Sequence, residues 1–240
     1  MRALRALLAA VAVAAVAAVA FAGAPPALAA SAGDSASASD TGCAEAVARK
    51  VQQRYERVKD LSARFEQTTQ LASFGTDAAA GSERSSGEVV LAKPGRMRWA
   101  YEKPQPSLVV GDGHTVWLFD PQKREAQRFP DAESFLSGAA IQFLLGKGRL
   151  LETFRVSALR CDPDGALLDL VPREPATYER LQLLADPASG EIRETAVFDL
   201  VGNVTRVSFS HVEVNRHPPM SLFRFEPPPD VQVIELPPSR

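Results

Sequence analysis

Three imidazoles and two thiols are the side chains of this 240-residue chain best equipped for catalysis or metal binding, and their spacing serves neither. His114 sits in a Gly-Asp-Gly turn, His211 lies near the end of an alternating run, and His217 precedes Pro218-Pro219. Catalytic centres need such groups to converge: a Gly-x-Ser-x-Gly elbow, a His-Glu-x-x-His helix face, or a Gly-rich loop cradling phosphate. None of these patterns occurs, and Cys43 and Cys161 are too few and too far apart for a zinc site. The carboxylates are scattered and read as surface charge rather than acid and base partners. No enzyme activity, metal or cofactor is expected.

The cysteines do bear on location. Met1 to Ala29 has a short basic head (Arg2, Arg5), an apolar run from Ala6 to Ala22 and a small-residue exit at Ala27-Leu28-Ala29, which reads as a signal peptide over 1–29. A membrane-spanning helix fits less well, because the run falls just short of the usual spanning length. Export to an oxidising compartment favours a Cys43–Cys161 disulfide over two buried thiols. Gly42 before Cys43 would suit a lipidated cysteine, but Asp40 and the long polar spacer speak against it.

Removing Arg2 and Arg5 changes the balance to 25 Lys+Arg against 29 Asp+Glu, a net charge of −4 where the whole chain has −2. Such mild, dispersed acidity gives no sign of a nucleic-acid partner, and none is expected. The expected layout is a disordered Ser/Ala/Gly leader over 30–43, then a single domain over 44–240.

The elements follow from periodicity. Val47, Val51, Tyr55, Val58, Leu61 and Phe65 recur at three or four residues, so a helix starts near Ala44; Leu61 to Leu71 fits either its continuation or a strand. Gly75 to Ser86 reads as a loop and Glu88 to Leu91 as a short strand. Lys93-Pro94-Gly95 then turns into an alternating strand with Met97, Trp99 and Tyr101 on one face and Arg96, Arg98 and Ala100 on the other. Leu108 to Val110 and Thr115 to Phe119 form a hairpin, with Glu125 to Phe129 a further candidate strand. Strands are expected over 151–160, 166–171, 179–185, 192–200, 204–214 and 222–225, with an edge strand over 231–236. Tight turns between most of these favour an antiparallel barrel or strongly curved sheet. Residues 134–146 differ: Phe135, Leu136, Ile141, Phe143 and Leu144 make a helix apolar nearly all round. It reads either as a core helix or as a cover shared with a ligand.

Four stretches carry a resemblance to a known family: Leu61-Ser62-Ala63-Arg64-Phe65-Glu66-Gln67, Lys93 to Tyr101, Asp112 to Pro121, and Phe223-Arg224-Phe225-Glu226-Pro227-Pro228. In this order they resemble the outer-membrane lipoprotein carrier (LolA) family. The resemblance implies a mainly β fold with helices, an incomplete, half-open antiparallel barrel covered by a helical lid. It implies a monomeric periplasmic chaperone that takes lipoproteins from an inner-membrane LolCDE-type ABC transporter to an outer-membrane acceptor. Acyl chains would sit in a cavity for which the candidate residues are Met97, Trp99, Tyr101, Trp117, Phe119, Phe198, Phe209 and Phe223, under a lid formed by residues 134–146. The family's lid latch is a basic residue beside the motif proline, most familiarly Arg; the matching position here is Lys93, which lacks the planar guanidinium fork. Alternatives on the same fold are an outer-membrane acceptor and a periplasmic lipid-sensing regulator; a lipid hydrolase is a more distant one.

Overall fold

The computed structural model describes the backbone of residues 38–72, 81–130 and 149–236, and side chains from residue 42 onward. The expected signal peptide and the 134–146 helix, with Phe135, Leu136, Ile141, Phe143 and Leu144, lie outside these residues. Helix α1 spans Ala38–Arg57. It begins before Ala44, inside the segment expected as a disordered leader. Alanine and serine tolerate a helix but leave no apolar stripe by which its first turns could be recognised.

A twelve-stranded sheet follows. Its strands are β1 (Asp60–Gln70), β2 (Ser82–Ala92), β3 (Arg96–Lys103), β4 (Ser107–Asp112), β5 (Val116–Asp120) and β6 (Glu125–Phe129). A four-residue helix α2 (Leu150–Thr153) then leads into β7 (Phe154–Asp162), β8 (Gly165–Pro172), β9 (Tyr178–Ala185), β10 (Ile192–Asp199), β11 (Val204–Val214) and β12 (Gln232–Glu235). The spatial order is β12-β6-β5-β4-β3-β2-β1-β11-β10-β9-β8-β7, so the sheet is open, with β12 and β7 at its edges. Every pairing is antiparallel except β12 against β6, which is parallel.

Several boundaries differ from the sequence expectation. The ambiguous stretch after α1 is a strand, because Leu61, Ala63 and Phe65 fit a period of two once β2 and β11 pair with both its edges. Strand β2 starts at Ser82, since polar residues join a ladder when a partner strand supplies hydrogen bonds. The segment expected as strand from 151 begins instead with α2, and the one expected over 222–225 starts within a 3-10 turn, Met220–Phe223, and continues without regular structure.

The apolar stripe of α1 (Ala44, Val47, Ala48, Val51, Tyr55) packs on β7 and β8 and joins one core with Leu150, Phe154, Leu168 and Leu170. Cys43 and Cys161 form a disulfide that ties α1 to β7. Gly190 (φ +71°) lets the β9–β10 turn approach the helix: a Cβ there would lie 2.6 Å from the Lys50 carbonyl. Among the described residues, no helix is long and apolar enough to cross a membrane.

Candidate functional site: an apolar sheet face and its Lys93 joint

Residues directly opposite in an antiparallel ladder point to the same side of the sheet, so the register defines two faces. One is the core face. On it Ala63 stands opposite Val89, and Val89 opposite Trp99; Val109 and Leu118 continue the row outward. Met97 is buried on this face, and Trp99 and Tyr101 are only 9% and 8% exposed. Phe65, from the stretch whose conformation was ambiguous, is at its centre. Its ring meets Trp99 and Tyr101 edge-on, with centroids 4.9 and 5.0 Å apart. Phe209, opposite Phe65 in register, is partly buried against the same cluster.

The other four candidate residues do not share this surface. Trp117 stands opposite Val110, which stands opposite Arg98, placing Trp117 on the far face. Phe119 aligns with Leu108 and Ala100 on that face as well. There Phe225, from the carboxy-terminal segment, packs on Trp117 and Phe119 with centroids 5.5 and 5.2 Å apart. Phe223 is buried nearby, in the 3-10 turn against β3 and β4 and outside the main core cluster. Phe198 faces its cross-strand partner Arg180, whose guanidinium carbon is 3.6 Å from the ring centroid. Alternation shows which residues of one strand share a side. The phase between strands is set by turn geometry and pairing, and this divides eight candidates into four and four.

Lys93 occupies a joint rather than the sheet interior. It is half-buried, and its Nζ donates to the Tyr55 carbonyl at 2.5 Å. Tyr55 lies in the last turn of α1, where carbonyls lack intrahelical partners and the dipole favours a cation. Burial pulls the Lys93 ammonium below the ordinary lysine range, partly opposed by the Glu56 carboxylate. The joint has further ties: Lys93 N donates to the Lys59 carbonyl (2.8 Å), and Lys59 N to Asn215 Oδ1 (2.7 Å). Asp60, buried beside them, accepts from Arg216 N at 2.7 Å. The end of α1, the β2–β3 turn and the end of β11 therefore meet here. The acceptor carbonyl of Tyr55 escaped sequence reasoning, although a helix terminus is a predictable place for one.

Among the described residues, no group of three or more His, Cys, Asp or Glu is placed to hold a metal ion. Fold and site thus define a class: an open, mainly antiparallel sheet with one largely apolar face, crossed in part by a helix. The family described as outer membrane lipoprotein carrier protein LolA matches residues 56–226. An outer-membrane lipoprotein carrier protein of Nitrosospira multiformis is 34% identical over 154 residues, covering 63% of this chain and 73% of that protein. One from Legionella pneumophila is 27% identical over 192 residues, covering 78% and 89%. A solved LolA superfamily protein from Nitrosomonas europaea aligns at 13% identity with a TM-score of 0.43, covering 76% of this chain and 97% of that one. The chain belongs to the LolA family of outer-membrane lipoprotein carrier proteins.

Proposed function

We propose that this protein is a periplasmic chaperone that carries lipoproteins between membranes by sheltering their acyl chains on the core face of the sheet. It would receive them from an inner-membrane LolCDE-type transporter and deliver them to an outer-membrane acceptor. The observation that carries this reading is the continuous apolar row through Phe65, Trp99, Tyr101, Met97 and Phe209, in a chain whose family relatives are named lipoprotein carriers. Each acyl CH₂ brought out of water is worth about 0.8 kcal/mol, so an ordinary chain left exposed costs on the order of 10 kcal/mol. An apolar face of this character offsets that cost by burial alone.

The face is buried, so cargo must displace whatever covers it. A cover held by a few polar contacts releases more readily than one held by deep packing, because exchange with water makes the net cost of losing each hydrogen bond small. We assign Lys93 to such a latch, with the end of α1 as one element that it holds. The disulfide engages the Cys43 sulfur, which a lipid-anchored acceptor would need for its thioether.

The test is release of a radiolabelled lipoprotein from vesicles that contain the transporter, with ATP and the protein from residue 30 onward. Soluble lipoprotein co-eluting with the protein is expected. Lipoprotein that stays on the vesicles, while a known carrier releases it, would sink the proposal.

A further inference from the structure

The core face is not uniformly apolar along its strands. At one end it carries Leu61, Leu91, Met97 and Val116, all buried. Toward the other end of β1 come Gln67 and Thr69, buried, with Val207 and Thr205 opposite them on β11. Thr195 lies opposite Val207 one strand further, and Ser107 lies opposite Tyr101 on the other side. Thr195 and Ser107 are buried too.

These groups are amides and hydroxyls, and two pairs in or beside the band are within hydrogen-bonding distance. The Tyr101 hydroxyl donates to Gln67 Oε1 at 3.2 Å, and the Thr69 and Thr205 hydroxyls are 3.4 Å apart. The side-chain amide of glutamine and the hydroxyls of threonine and serine can each donate to an ester carbonyl. Burial raises the Tyr101 pKa, which keeps the phenol a neutral donor. Exposed charges at the margin of this band include Glu83, opposite Thr69, and Lys103, two residues beyond Tyr101 on β3, so an uncharged group fits between a carboxylate and an ammonium.

We infer that this band reads the uncharged ester groups of an acylated ligand and so sets its direction, with the alkyl chains toward Leu61 and Met97 and the esters toward Gln67 and Thr195. This rests on the carrier function proposed above and goes further, naming the chemistry that orients the cargo. A face built for hydrocarbon alone gains nothing from buried amides and hydroxyls, each costly to desolvate unless it meets a partner.

The test uses two synthetic lipopeptides of equal chain length, one with ester-linked and one with ether-linked chains on the glyceryl unit. Each displaces N-phenyl-1-naphthylamine from the protein. The ester form should bind about tenfold more tightly, the effect of one to two neutral hydrogen bonds. In Gln67→Leu and in Thr195→Val that ratio should fall toward one; the second variant is nearly isosteric and guards against misfolding of the first. A ratio near one in the unaltered protein, or one retained in both variants, overturns the inference and leaves the carrier function standing. If neither lipopeptide displaces the dye, the carrier function falls and the inference with it.

Discussion

Replacing Lys93 with Met keeps an unbranched stem of similar length in the joint and removes the ammonium that donates to the Tyr55 carbonyl. A hydrogen bond from a charged donor is worth about 1.5–3 kcal/mol. Two features reduce that here. Burial already disfavours the ammonium, and the main-chain tie from Lys93 N to the Lys59 carbonyl survives the change. The expected net loss is about 1–2 kcal/mol, or about 2–8 °C in Tm for a domain of this size. Lys93→Arg keeps a cationic donor and should recover most of it. Urea unfolding followed by tryptophan fluorescence measures the first effect, and the rate of N-phenyl-1-naphthylamine uptake measures the second. Loosening the end of α1 should speed uptake in Lys93→Met while the final amplitude stays the same. Melting within about 1 °C of the unaltered protein, together with unchanged uptake, would refute the joint's role both in stability and as a latch.

Further outcomes follow from the same geometry. All three tyrosines, Tyr55, Tyr101 and Tyr178, have raised pKa values, chiefly through burial, with Tyr178 pushed up to about 12. A raised value favours the neutral phenol in the folded state, so this stabilisation is complete below pH 10 and is lost as pH climbs through the folded-state values. Absorbance titration at alkaline pH should show phenolate appearing only with unfolding; one tyrosine ionising near pH 10 in the folded protein would contradict the assignment. Cys43→Ser opens a link between positions 118 residues apart and should cost about 2–5 kcal/mol in urea, detaching α1 from β7. Trp117→Ala removes packing on Phe225 and should destabilise by about 1–3 kcal/mol, yet leave dye affinity unchanged, whereas Trp99→Ala weakens it. Gly87→Ala would set a Cβ 2.0 Å from the Ala100 carbonyl oxygen, and a loss of about 3 kcal/mol in urea is expected; no loss would mean that β2 and β3 part there easily.

Much of this protein was legible in the order of its residues. Alternation at Met97, Trp99 and Tyr101, the Pro-Gly and Gly-Asp-Gly turns, and the apolar stripe from Val47 to Tyr55 are local patterns, and local sterics and burial suffice to read them. The family resemblance was carried by such stretches, and the match over residues 56–226 agrees with it. Tertiary structure decided what depends on partners distant in sequence. Phe65 became the centre of the core face because β2 and β11 pair with β1. Trp117 and Phe119 went to the opposite side, under Phe225, because cross-strand phase follows from pairing rather than composition. The contact of Lys93 with the Tyr55 carbonyl needed a turn and a helix end brought together, which no spacing along the chain encodes. Side-chain type and local period are one-dimensional properties, whereas the face to which a residue belongs, and the atom that it meets there, exist only after the strands have chosen their neighbours.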